Sequence, residues 1–250
     1  MERYISGYRV PPSGINRFKS KFNKENGLGK FKGIHKGESA ILFANGPSRK
    51  DYVPFEGSEE CIKIGVNCIY QHHTEEEMEK LNYWFFGSEY HKTRGDSYGD
   101  SAIYYDEICF NPRYKNMVKL TSSYEHGKSH ADIGRGNITP ERSKELGCIP
   151  FENNLETFTD DLEKYSTVGH SIAFPALQFI LYTGVKRIYL VGCDGGFTDP
   201  NLNKPSSDPW LMHWWGEFKK FKDICYPDIE IVNINSVGLK GWFIDATVED

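Results

Sequence analysis

Asn45, Gly46, Pro47 and Ser48 follow directly on the apolar run Ala40 to Ala44. A short apolar run with sharp bounds reads as a buried strand, so the four residues form the turn at its carboxyl end. Glycine lets a backbone come close to a ligand. Proline fixes the chain direction and suits the first turn of a helix, and amide N–H groups at a helix start favour an anion. The turn therefore has the composition of a phosphate-approach loop, with a nucleotide as its guest. It is neither a GxGxxG nor a Walker pattern, and an Asn-Gly-Pro turn also serves simply to end a strand. Two other strand ends carry polar groups: Asn67 in IGVNCIY, and Asp194 with Gly195 in VGCDGG. Taken singly, each satisfies local loop amides; gathered at one crevice, the three make a site.

Other residue types offer weaker chemistry. His126, His130 and Asp132 in EHGKSHAD have a spacing that suits a metal on one helical face, but Gly127 and its polar neighbours argue against a rigid helix there. His72 and His73 are adjacent and read as a surface turn, and His170 starts an apolar helix. Arg94, Arg113 and Arg135 are loop cations that suit phosphate or carboxylate. No GxSxG elbow and no Cys-His pairing points to a nucleophile. Asp160 and Asp161 sit in a charged stretch, which does not support a glycosidase pair.

The elements that must position these residues alternate along the chain. Strands are expected at 39–44, 61–70 and 82–90, with shorter candidates in YDEICFN and NMVKLTSS. Between the second and third lies TEEEMEKL, where Thr74 and Glu77 have the spacing of a capping box. Residues 170–184 are apolar nearly all round and read as a buried helix, with Gly184 as its C-cap. A buried strand at 186–194, an amphipathic helix at 209–225 and a strand at 228–236 follow. Such alternation predicts an α/β, Rossmann-like fold: a mostly parallel sheet with helices on both faces. Residues 1–37 read as a basic arm anchored by Phe18, Phe22 and Phe31, residues 38–250 as the nucleotide-binding domain, and 122–165 as an insertion or lid.

The 250 residues suit one domain with an appendage, and the net charge of -5 is mixed throughout, which excludes duplex nucleic acid as main partner. Six cysteines without a CxxC pair read as buried thiols of a reducing compartment. MERYISGYRV lacks an apolar signal region. No stretch reaches the about 18 apolar residues of a membrane span. The expectation is a soluble cytoplasmic protein, with a homo-oligomer left open.

FKGIHKGESAILFANGPSRKD, IGVNCIY, NYWFFGSEY, GHSIAFPALQFILYTGVKRIYLVGCD and IVNIN, in that order, resemble two related groups over residues 28–236. One is the bacterial sialyltransferases of glycosyltransferase family 42. The other is the broader set of 6-hydroxymethylpterin diphosphokinase-like proteins, often found near surface-glycan genes. The resemblance implies a nucleotide at the strand ends, with a CMP-sugar donor, a glycan acceptor and no required cofactor. It would place Asn45, Gly46 and Ser48 at the donor phosphate and nucleoside, with Asn67 as a second nucleotide contact; Pro47, Asp194 and Gly195 join them on the reading of the strand ends alone. Thr167 and Gly169 would match a Thr-Ser-Gly turn whose middle residue is Val168 here. The sialyltransferases carry aromatic residues, including a phosphate-holding Tyr, where this chain has Gly195, Gly196 and Phe197. Their Asn after the third strand is here Gly87 or Ser88.

Glycosyl transfer needs a base for the acceptor hydroxyl, and histidine is the usual choice. In the sialyltransferases it lies between the Gly-x-Asp strand end and the next helix. His213 is the histidine in that interval, and it also reads as one member of an aromatic helix face. Two alternatives stand beside the transferase. One is an ATP-dependent diphosphokinase holding Mg²⁺ through Asp194 and Asp199. The other is a non-catalytic protein that binds a glycan or a partner.

Overall fold

The structure, a computed structural model, describes residues 3–5, 8–10, 19–87, 107–123, 140–154, 157–168, 171–195, 209–234 and 238–246. A short antiparallel hairpin, β1 (Arg3–Ile5) and β2 (Tyr8–Val10), stands apart from the main sheet. The main sheet has nine strands: β3 (Ser39–Phe43), β4 (Ile62–Val66), β5 (Tyr83–Phe86), β6 (Val118–Ser123), β7 (Ile149–Asn154), β8 (Thr167–Val168), β9 (Arg187–Val191), β10 (Glu230–Ile234) and β11 (Ile244–Ala246). Their spatial order is β11-β10-β9-β3-β4-β5-β6-β7-β8. Every neighbouring pair is parallel. The chain is thus an α/β protein with a Rossmann-like sheet.

Both faces of the sheet are covered, which is why its central strands are apolar without alternation. Ala40, Leu42, Ile64, Phe85 and Ile188 pack on one face with α4 (Ala173–Thr183) and α5 (Pro209–Cys225). Ile41, Phe43, Trp84, Phe86 and Val191 form the other face with Ile69, Tyr114, Leu146 and Met78 of α2 (Glu75–Glu79). All eleven residues of α4 are buried. Leu28 and Phe31 join its core, and the Phe31 ring meets that of Phe179 at 5.0 Å. Gly184 ends the helix in the left-handed region, at φ 85°.

Several expectations need revision. The expected strand 61–70 stops at Val66, and a 3₁₀ turn (Asn67–Gln71) follows. YDEICFN is helical at 107–110, because Ile108 is buried while Phe110 faces solvent, which breaks strand alternation. The range read as an insertion or lid supplies α3 (Pro140–Glu145) and β7. Ile149 and Phe151 pack into the same apolar face, which makes β7 a sheet strand. The basic arm is also part of the body from residue 19 onward. In α1 (Lys21–Glu25), Asn23 Nδ2 donates to the Tyr165 carbonyl (2.9 Å), and its Oδ1 accepts from the Glu152 amide (2.8 Å). Among the described residues, no helix is long and apolar enough to cross a membrane.

Candidate functional site

The strand order contains one reversal. From β3 the chain builds β4 to β8 outward on one side, then returns to place β9 on the other side of β3. The connection after β3 packs Tyr52 and Phe55 against the face that holds Phe43. The connection after β9 runs through α5 on the opposite face. Two loops that leave neighbouring strands for opposite faces part at their start, and ligands of such sheets bind in the crevice between them. By that rule the place to look is the carboxyl end of β3 and β9, where the turn Asn45 to Arg49 meets the turn Gly192 to Gly195.

The two turns are stitched together. Ala44 and Gly46 donate their amides to the carbonyls of Val191 and Gly192, each at 2.8 Å. Ser48 donates its amide to Asp194 Oδ2 at 2.8 Å. Gly46 allows this approach, since a Cβ there would collide with the Gly192 carbonyl and the Asp194 carboxylate. Pro47 opens a 3₁₀ turn (Pro47–Asp51), and the Arg49 amide closes it onto the Gly46 carbonyl. The amides of Gly46 and Ser48 thus already donate to protein acceptors.

Similar bonds cross the next two strand ends. Asn45 Nδ2 donates to the Val66 carbonyl at 3.1 Å. Asn67 Oδ1 accepts from the Gly87 amide at 3.1 Å, and the Asn67 carbonyl accepts from Trp84 Nε1 at 2.9 Å. Asn67 adopts φ 45°, a conformation that asparagine tolerates better than most residues. Asn45 stays exposed at the rim, and Asn67 is half-buried.

Beneath the turn lies a charged group that sequence reasoning missed. Arg49 is buried, with its guanidinium 5.4 Å from the centre of the Phe43 ring and in hydrogen-bond contact with His73. A guanidinium only donates, so the imidazole nitrogen it meets accepts. His73, read as part of a surface turn, has a side chain only 3% exposed, packed edge-on against Phe43 with ring centres 5.0 Å apart. Burial, then the Arg49 charge, push His73 down to about 4, so it is neutral near neutral pH. Two donors of this turn, Ser48 Oγ and Arg49 Nε, are buried without a hydrogen-bond partner. Arginine after the strand-ending turn was the available signal, but nothing in the sequence ties it to a histidine 24 residues on.

The structure thus gathers Asn45, Gly46, Pro47, Ser48, Asp194 and Gly195 at one crevice, with Asn67 at the adjoining strand end. No family model and no curated protein matches the chain. Thr167 is not brought to the crevice by the sheet. It lies in β8 at the far edge, where its hydroxyl donates to Asn153 Oδ1. Gly169, His170, Arg94, Arg135, Asp199 and the EHGKSHAD group lie outside the described residues. Arg113 pairs with Glu75 and Glu79 of α2. Among the described residues, no group of three His, Cys, Asp or Glu side chains could hold a metal ion.

α5 reaches the crevice through Met212, whose sulfur would stand 2.5 Å from a Cβ built on Gly195. His213, the next residue, is exposed, with its ring 5.6 Å from that of Trp214. As the neighbour of Met212 on α5, His213 points about 100° further round the helix.

Proposed function

We propose that the chain binds a nucleotide-activated sugar at the β3/β9 crevice and transfers the sugar to a hydroxyl acceptor, in the manner of the CMP-dependent glycosyltransferases it resembles. The observation that carries this reading is the pair of buried donors without partners, Ser48 Oγ and Arg49 Nε, on the turn where the strand order reverses. Leaving buried donors unmade costs about 1–3 kcal/mol each, and a ligand oxygen would offset that cost. Arg49 adds a positive charge that suits a phosphate. Asn45 at the rim and Asn67 at the next strand end present amides to the nucleoside. The acceptor approaches from the α5 side, where His213 takes its proton as the donor bond breaks.

A thermal-shift series with CMP, CDP, UDP, GDP, ADP and ATP, each with and without Mg²⁺, tests the reading. A ligand at 100 times its Kd that binds the folded state alone adds about 2.7 kcal/mol. The expected result is a shift with CMP that needs no metal and is weakened in Asn45→Ala. A shift only with ATP and Mg²⁺ would replace the transferase with a diphosphokinase. No shift with any nucleotide would leave a glycan- or partner-binding protein.

A further inference from the structure

Two thiols meet far from the nucleotide crevice. Cys109 lies in the helical turn 107–110, and Cys148 immediately precedes β7, at the amino-terminal end of that strand. Their sulfurs are 3.7 Å apart, although 39 positions separate them in sequence. Both are held by backbone bonds. The Asn111 amide closes the helical turn onto the Glu107 carbonyl at 3.0 Å, and the Cys148 amide donates to the Ser143 carbonyl at 2.8 Å. The buried ammonium of Lys119 anchors the neighbouring loop, donating to the Tyr114 carbonyl at 2.9 Å. Access differs between the two sulfurs: Cys148 is buried, whereas Cys109 is half-buried beside the exposed Phe110. The contact with Cys109, and then burial, push the Cys148 thiol up, against the charges of Lys119 and Arg142.

We propose that Cys109 and Cys148 are a reversible oxidation site, closed by exchange with a low-molecular-weight disulfide of the glutathione class. The Cys109 thiolate attacks one sulfur of the small disulfide, forming a mixed disulfide and expelling one small thiolate. Cys148 then gives up its proton and attacks Cys109 Sγ, which forms the protein disulfide and breaks the mixed one. The second small thiolate leaves, and the two thiol protons end on the two small thiols. Two protein thiols are oxidised and one small disulfide is reduced. Held contact makes the second step intramolecular and fast relative to reaction with another molecule. The site is independent of the nucleotide reading.

The test treats the folded full chain with oxidised glutathione, traps remaining thiols by alkylation, and reads intact mass and a peptide map. The expected product is lighter by two hydrogens, carries no glutathione on this pair, links the Cys109 and Cys148 peptides, and reverts with dithiothreitol. Cys148→Ser should stop with one glutathione on Cys109. Cys109→Ser should leave Cys148 unmodified, because the buried sulfur has lost the partner that delivers the disulfide. Glutathione confined to Cys68 or Cys225, or a linked pair other than these two, would overturn the proposal. The wild-type peptide map decides the matter even where a serine variant does not fold.

Discussion

The Ser48 amide donates to the Asp194 carboxylate at 2.8 Å, across 146 positions of sequence. A protein carboxylate therefore occupies the amide of the turn that sequence reading assigned to a phosphate. The bond joins the two loops that frame the crevice, so the same contact shapes the site and holds the sheet together there.

Removing that carboxylate should be costly. Asp194→Ala leaves a buried amide unmade, which costs about 1–3 kcal/mol. Asp194→Asn keeps an acceptor in place and should lose about 1 kcal/mol, the difference between a charge-assisted and a neutral bond. Urea unfolding of the two variants measures both values. Equal stability of Asp194→Ala and wild type would show that the bond contributes nothing.

Gly46 and Gly87 form a controlled pair. A Cβ at Gly46 meets backbone and carboxylate oxygens, so Gly46→Ala should force the turns apart and cost about 1–3 kcal/mol or more. At Gly87 the nearest atom to such a Cβ is Asn67 Oδ1 at 3.9 Å, an ordinary contact. Gly87→Ala should stay within about 0.5 kcal/mol of wild type. Thermal melts of the two proteins side by side give the comparison.

His73 makes stability depend on pH. Its folded pKa of about 4 lies below the unfolded value of 6.5. Below pH 6.5 the unfolded chain takes up a proton that the folded chain refuses, so stability falls as pH drops from 6.5 towards about 4 and is unaffected by this group above that window. The full effect is at most about 3 kcal/mol. Glu77, pushed up by burial but held below its usual value on balance by its bonds to Thr74 and by the His73 and Arg49 charges, adds a loss at the acid end. Denaturation of wild type and His73→Gln across this range should show a shallower slope for the variant.

Under the proposed transfer reaction, His213→Ala should lower turnover roughly 100- to 10,000-fold, the usual range for a lost general base, while leaving nucleotide affinity unchanged. Steady-state kinetics and a nucleotide titration on the same protein separate the two quantities. Wild-type turnover in the variant would remove His213 from the mechanism.

Much of the frame was legible because apolar runs of strand length, bounded by turns, leave few options. β3, β9 and β10 fall inside the expected ranges, α5 spans the expected residues, and the Thr74–Glu77 box is present with both of its bonds. β11 was not legible. Ile244 and Asp245 are exposed, and three residues at a sheet edge carry no periodic signal. The strand order was likewise hidden, since adjacency of β3 and β9 depends on pairing at long range. Arg49 and His73 were missed for a related reason. Each is polar and follows a strand, and only the fold buries them together.

The reversal in strand order also sets the sequence in which the sheet can be completed. β3 finds β4 within about twenty residues, but its other edge can be covered only by residues 187–191. While the chain is being synthesised, that edge of the central strand stays open until most of the protein has emerged. Late, long-range pairing of this kind slows folding and leaves a strand edge open to other chains. The seam that forms the crevice is thus a late join, after which β10 and β11 are added only at the outer edge of β9, and it is where a nascent chain most needs protection.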